Sequence, residues 1–273
     1  MTARMSGAKH LLQFVTPPAL WRVGQALRRQ FDSAVDHIEY APEGWATPLP
    51  ADHTEAFWKS FAGQERAAFE ELVARVKSGQ AAISPQPGED FKHVAFGCAV
   101  GLAALGKEQI SVLDYGGNLG DYLWIARKLL PAIAMDFHCK ELPLVADVGR
   151  EVNPCVTWHT GDSCFDASYD LVMFVSSLQC LREWRSVMQR GAVATRDILL
   201  LADVPAVRTA PSFVATQRSR GVTTLYNVMN RADVIDGVER IGPRLIREFD
   251  MGPHPTVANA PEQPHCVGLM FRR

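Results

Sequence analysis

The chain has no run of about 18 apolar residues, the length a membrane-spanning helix would need. It has no stripe of basic residues. Its densest basic clusters, Arg28-Arg29 and Arg272-Arg273, are short, and the formal charge is -2. An acidic balance without a basic face disfavours RNA or DNA as the main substrate. The six cysteines (Cys98, Cys139, Cys155, Cys164, Cys180 and Cys266) contain no C-x-x-C pair. That spacing argues against a zinc ribbon, a thioredoxin-type site and a secreted disulfide scaffold, and leaves reduced thiols acting as small hydrophobes. Near the start, Leu11-Leu12-Gln13-Phe14-Val15 is cut short by Pro17-Pro18 and has no convincing cleavage site, so it is not a signal-peptide core. No internal repeat or low-complexity segment is visible. The expectation is a cytoplasmic protein with neither a membrane span nor a nucleic-acid partner.

What the chain does have is 273 residues that are 47% apolar, enough for one sizeable core or a core with a small appendage. Its rhythm changes part-way. Residues 1–108 carry helical periodicity broken by prolines and show no convincing strand. In the clearest helix, 54–78, Phe57, Phe61, Phe69, Leu72, Val73 and Val76 share a face and Gly79 is the stop. Ser84-Pro85-Gln86-Pro87-Gly88 reads as a loop, and a second helix runs from about Phe91 to Leu105. From Ile110 the pattern is strand, turn, helix. Strands are expected at 110–114, 132–139, 156–159, 169–175 and 197–202, with helices over 119–130 and from Pro143. A final strand pair is expected at 244–250 and 266–271. Such alternation predicts a mostly parallel, doubly wound Rossmann-like α/β sheet with an antiparallel C-terminal strand. The core would cover 109–273 with an insertion at about 205–240, preceded by a helical cap over 1–108.

In an open parallel sheet, ligands bind beyond the carboxyl ends of the strands. The turn after the first strand is Asp114-Tyr115-Gly116-Gly117-Asn118-Leu119-Gly120. Its glycines allow a tight turn and a close backbone approach to a ligand, and Asn118 tolerates positive φ. A dinucleotide fingerprint counted from Gly116 would need glycine at Asn118 and Asp121, so it fails; the Gly-Lys-Ser/Thr ending of a P-loop is also missing. What remains, an acid closing the strand and then G-G-N-x-G, is similar to the first motif of class I methyltransferases, with Asn118 where a glycine is usual. That motif implies S-adenosylmethionine, with its ammonium balanced near Asp114. A carboxylate closing the second strand would take the ribose hydroxyls. Asp136 and Glu141 are the candidates, and Glu141 is preferred because Leu142-Pro143 follows it. Gly161-Asp162-Ser163 is placed to meet the adenine.

More of the chain resembles one group of bacterial class I methyltransferases often associated with polysaccharide or secondary-metabolite genes. The pieces that carry the resemblance run in order: Phe14-Val15-Thr16-Pro17-Pro18, Glu39-Tyr40-Ala41-Pro42-Glu43-Gly44-Trp45, the turn itself, Phe137-His138-Cys139-Lys140-Glu141-Leu142-Pro143, Tyr169-Asp170-Leu171-Val172, Ser176-Ser177-Leu178-Gln179, Pro211-Ser212-Phe213-Val214, Asn230-Arg231 and Gly268-Leu269-Met270-Phe271-Arg272. The resemblance supports Glu141 at the ribose. It departs from the group at Asn118, where glycine is typical, and at Cys180, where an aromatic is typical. It implies the fold and S-adenosylmethionine as methyl donor, with S-adenosylhomocysteine as product, and says little of the substrate; the expectation is transfer to a small-molecule or sugar acceptor, at oxygen rather than nitrogen.

The cofactor set expected is therefore Asp114, Gly116, Gly117, Asn118, Gly120, Glu141, Asp162 and Ser176. No acid follows the fourth strand, so a catalytic metal is not expected. A base for an oxygen acceptor would come from His254, His265 or Asp203, with His138 and His159 as weaker candidates. Gly252 to Pro264 is long enough for a lid carrying His254. Ser212, Gln217, Arg218, Asn230 and Arg231 follow the fifth strand and could line an acceptor pocket, the arginines suiting a carboxylate or phosphate. Trp45 and Trp58 could cap it. Two rival readings stay open: an NAD(P)-dependent Rossmann enzyme, and a non-catalytic methyltransferase-like partner protein. A homodimer also stays open.

Overall fold

The computed structural model describes residues 37–50, 55–79, 89–219, 222–252 and 254–273. Phe14 to Pro18 and Ser84 to Gly88 lie outside the described residues, as do the side chains of Phe57, Trp58 and Phe61. Strand β1 is His37–Tyr40, and helices α1 (Glu55–Lys77) and α2 (Glu89–Ala103) follow. The core opens with β2 (Gln109–Tyr115), α3 (Asp121–Leu129), β3 (Ala134–Lys140), α4 (Pro143–Val152) and β4 (Thr157–His159). It continues with β5 (Tyr169–Val175), α5 (Trp184–Ala194) and β6 (Thr195–Val207). A hairpin of β7 (Phe213–Ser219) and β8 (Val222–Asn230) precedes α6 (Arg231–Glu239). Strands β9 (Arg244–Asp250), β10 (Val257–Ala258) and β11 (His265–Arg272) close the chain. No helix among the described residues is long and apolar enough to cross a membrane.

The central ladder runs β4-β3-β2-β5-β6-β11-β9. Its first five strands pair in parallel and β11 is antiparallel to both neighbours. The chain winds outward from β2 to β4, then returns to lay β5 on the other side of β2. The strand order therefore reverses between β2 and β5, the place where such sheets bind ligands.

Burial on both faces explains why the strands are almost wholly apolar. Along β5, Leu171, Met173 and Val175 belong to one buried cluster while Val172 and Phe174 belong to the other. Along β6, Ile198, Leu200 and Ala202 alternate in the same way with Leu199 and Leu201. This is the period-2 alternation of a pleated strand with both sides covered. The first cluster is closed by α2 through Ala95, Phe96, Ala99, Val100 and Ala103, and by Leu123 and Ala126 of α3. The second is closed by Trp184 and Met188 of α5 and Val234 and Val238 of α6. Pro143 stands in the first turn of α4, where its missing N–H costs nothing.

Two parts differ from the sequence expectation. Residues 37–40 are a strand, pairing in parallel with β10 and antiparallel with β7. The stretch after β6, expected only as an insertion, begins as a β-hairpin that adds strands to the sheet, and Arg231–Glu239 is helical. Together β10, β1, β7 and β8 form a second ladder. It joins the first where the last two residues of β6, Ala206 and Val207, pair with Met229 and Asn230.

Leu171 is fully buried at the centre of β5. Leu171→Ala is expected to lower unfolding free energy by about 2–5 kcal/mol, read from chemical denaturation midpoints at unchanged slope.

Candidate functional site

Strand β2 ends at the glycine turn, and the turn is built around a buried carboxyl group. Asp114 has no exposed surface, and neither carboxylate oxygen accepts a hydrogen bond among the described residues. Gly117 passes directly over it. A Cβ there would stand 2.3 Å from the Asp114 carboxyl carbon, so only glycine fits. Gly116 (φ 77°) is held by donating its N–H to Lys140 O at 2.8 Å, and a Cβ on it would meet the Ser177 Cβ at 2.4 Å. Gly120 (φ 77°) precedes α3; the Asn153 amide donates to Leu119 O at 2.9 Å and to Gly120 O at 3.3 Å, tying the turn to the end of α4.

Asn118 takes the left-handed conformation (φ 52°), which asparagine tolerates better than most residues. Its backbone N–H donates to Glu141 Oε1 at 3.0 Å, and its side-chain amide donates to Glu65 of α1 at 2.6 Å. The residue that departs from the usual glycine therefore fastens α1 to the turn. Ser176 (φ 54°) and Asp203 (φ 58°) are also left-handed. Three strained non-glycine residues thus sit after β2, after β5 and near the end of β6, at one edge of the sheet. Strain of this kind gathers at functional sites.

A cavity of about 880 Å³ opens at that edge, within the usual size range of small-molecule sites. Of the residues expected to hold a cofactor, Gly116, Gly117, Asn118, Glu141 and Ser176 line it. Asp114 lies beneath Gly117, and Gly120 caps α3 behind the turn. The Glu141 carboxylate also accepts from Leu142 N at 2.8 Å; burial raises its pKa while the Leu142 and Asn118 N–H groups pull the other way. Asp136 sits well down β3, paired with Ser111 and contacting His138, and is not among the lining residues. Asp162 is engaged elsewhere: Arg190 donates to its carboxylate at 2.7 Å and Tyr115 Oη at 3.2 Å.

Ser176 Oγ donates to Asp203 Oδ2 at 2.6 Å, and Lys92 of α2 stands 3.4 Å from that hydroxyl and 3.8 Å from the carboxylate. Asp203 lies in a bulge, since Leu201 and Val204 pair with Leu269 and Val267, leaving two residues of β6 against Gly268. Cys266 abuts it, its thiol pushed up by burial first and by the Asp203 charge second.

The remaining expected residues stand apart from the cavity. His254 accepts from Cys266 N at 3.0 Å and packs edge-to-face on His265, with ring centroids 4.6 Å apart; neither lines the cavity. His138 and His159 contact one another at 2.9 Å on β3 and β4. Ser212 accepts from Asn230 N at 2.8 Å, and Asn230 caps α6 by accepting from Asp233 N. Arg231 is paired with Glu248, beside a separate polar cleft of about 430 Å³. Gln217 and Arg218 lie on β7 opposite Ile38 and His37. Sequence reasoning missed Glu65, Lys92, His93, Tyr122, Leu181 and Leu225, all of which line the cavity. The available signal was weak: Lys92 and His93 are polar neighbours on a helix whose following residues are apolar.

No group of His, Cys, Asp and Glu among the described residues is arranged to hold a metal ion. No protein-family model and no curated protein matches this chain. Solved structures do. A protein of an O-methyltransferase family from Burkholderia thailandensis superposes with a TM-score of 0.52 at 14% identity, over 83% of this chain and 64% of that one. The fold is that of a class I methyltransferase. Two weaker likenesses are the 1,6-didemethyltoxoflavin N1-methyltransferase of the same organism, solved with its substrate and S-adenosylhomocysteine, and the magnesium protoporphyrin IX methyltransferase of Synechocystis, solved with S-adenosylhomocysteine. The first has a TM-score of 0.48 and 14% identity over 89% of this chain and 97% of that one. The second has 0.47 and 13% over 79% and 99%. The chain thus spans a little under two thirds of the protein it superposes on best among these three, and nearly the whole of the other two.

Burial, ahead of the charges of Glu141 and Asp121, holds the Asp114 carboxyl well above its ordinary range. An acid raised in the folded state leaves stability intact below its unfolded pKa and removes it as pH rises toward the folded value. Asp114→Asn is therefore expected to melt higher than the parent protein, by a margin that grows as pH rises above about 4, the ordinary Asp value. Thermal melts of the two proteins across that range check it; a margin that shrinks as pH rises would contradict it.

Proposed function

We propose that this protein transfers a methyl group from S-adenosylmethionine to a small-molecule acceptor, at oxygen. The observation that carries the reading is the buried, unpaired Asp114 carboxylate under Gly117, with Glu141 closing the neighbouring strand. An isolated buried charge is costly unless compensated. A cationic ligand over the glycine turn supplies that compensation, and S-adenosylmethionine is a cation that also carries a ribose. The failed dinucleotide and P-loop fingerprints remove the main competing nucleotides.

When bound, S-adenosylmethionine supplies an electrophilic methyl group on sulfonium sulfur. In this reading Glu141 accepts from the ribose hydroxyls, as an acid closing the second strand is placed to do. Gly116, Gly117 and Asn118 form the floor on which the cofactor lies, and Asp114 balances its charge from below. Gly120 and Asp162 brace the turn and the adenine side rather than touch the reacting atoms. Ser176 faces the reacting end. An acceptor hydroxyl that takes the methyl group would have to lose its proton. Asp203 is the group for that proton, taking it through the Ser176 hydroxyl while Lys92 stabilises the anionic side of the exchange. His254 and His265 brace the start of β11 instead. Positioning supplies most of the rest of the rate.

Isothermal calorimetry with S-adenosylhomocysteine tests the donor. Micromolar affinity is expected, with Gly116→Leu weakening it at least about a hundredfold, or ~2.7 kcal/mol, because the side chain would collide with Ser177. Thermal melting establishes that the variant is folded. Binding of NADH in place of S-adenosylhomocysteine, or unchanged affinity in a folded Gly116→Leu protein, would overturn the reading.

A further inference from the structure

The part of the cavity farthest along the chain from the glycine turn is assembled from three distant segments, and one buried side chain joins them. Asn227 of β8 is 4% exposed. Its amide nitrogen donates to Gln179 O at 2.9 Å and to Leu181 O at 2.8 Å, spending both hydrogens on the segment after β5. Its carbonyl oxygen accepts from the Trp45 indole N–H at 3.1 Å. The short 3-10 turn Gly44–Ala46, entered through a left-handed Gly44 (φ 58°), is thereby fixed against the hairpin.

The consequence lies in what these segments can offer a ligand. Trp45 has one polar atom, and Asn227 occupies it, so Trp45 presents carbon to the cavity. Leu49, Leu181 and Leu225 add further carbon surface to the cavity lining. Thr224, the neighbouring hydroxyl, donates to Gln217 O within the hairpin. A sugar ring placed here would bury hydroxyls against apolar side chains with few partners, at a cost for each one left unpaired. A flat carbon ring would instead bury its faces against a rigidly held indole, an arrangement that favours offset or edge-to-face aromatic contact. Lys92 and Ser176 line the same cavity and contact one another at 3.4 Å, a polar pair that can meet a single hydroxyl.

We propose that the acceptor is a planar, largely apolar hydroxylated ring compound, a phenol in the broad sense, seated against Trp45, Leu181 and Leu225, with Asn227 as the positioning residue that fixes this wall. The proposal rests on the donor reading above only for the identity of the ligand that shares the cavity.

The test uses 2-naphthol and methyl β-glucoside as probes, titrated by calorimetry into the protein with and without saturating S-adenosylhomocysteine. Binding of S-adenosylhomocysteine is measured first, so failure of the donor reading shows as its absence, independently of the naphthol result. The expected outcome is binding of 2-naphthol and no heat from the glucoside. Trp45→Ala should weaken naphthol about tenfold and Trp45→Phe only about threefold, each with S-adenosylhomocysteine affinity unchanged. Leu49→Asp, at a partly exposed position of the same wall, should weaken naphthol in a protein whose melting temperature is preserved. Glucoside binding, naphthol affinity indifferent to both Trp45→Ala and Leu49→Asp, or no naphthol binding in either state would overturn the proposal.

Discussion

A carboxylate with no exposed surface lies beneath a glycine, and most of the cavity's geometry depends on that contact. Asp114 ends a strand whose two neighbours, β3 and β5, are both parallel to it, so its side chain cannot escape into solvent. The backbone clears it only because Gly117 has no Cβ. Clearing it throws the chain into the left-handed residues Gly116 and Asn118, and those aim the Asn118 N–H at Glu141. One steric fact at Gly117 thus sets the floor of the cavity, and the unpartnered carboxyl group beneath it favours a cationic ligand, which would stabilise its ionised form.

The parallel core was legible because its signals are local. A strand covered on both faces reads as an unbroken apolar run, and Tyr169–Val175 is one; a helix opened by Pro143 declares its own first turn. The second ladder was not legible for the opposite reason. The hairpin strands carry Thr216, Gln217, Arg218, Thr223, Thr224 and Asn227 among their apolar residues, and β1 has four residues whose pairing partners lie far along the chain. Their conformation is decided by partners, which short-range patterning does not see.

The cofactor side was more readable than the acceptor side on the same grounds. Gly116 to Glu141 spans a short stretch in which turn chemistry and strand ends are written consecutively. The polar residues expected at the acceptor, such as Arg231, Asn230 and Ser212, have side chains committed to Glu248, a helix cap and a backbone N–H. Composition gave them a plausible role, and intramolecular partners took it away. The residues that line the cavity there instead include ordinary ones, Leu181 and Leu225, whose meaning comes only from being brought together with Trp45, which the sequence had offered as a cap.

Strand β6 carries two sheets at once. Its first part lies between β5 and β11, and its last two residues pair with the β8 end of the second ladder, which Asn227 also ties to the segment after β5. In mechanical terms the second ladder is a bracket: β8 fixes it to the first sheet, and Trp45 is pinned back onto that same strand. The outer strands β7, β1 and β10 of such a bracket can be lengthened or exchanged without disturbing the frame that bears it. Changes accumulating in β7 would thus alter the far wall of the cavity while the glycine floor stays the same, so that under the proposed function the acceptor could change without the donor.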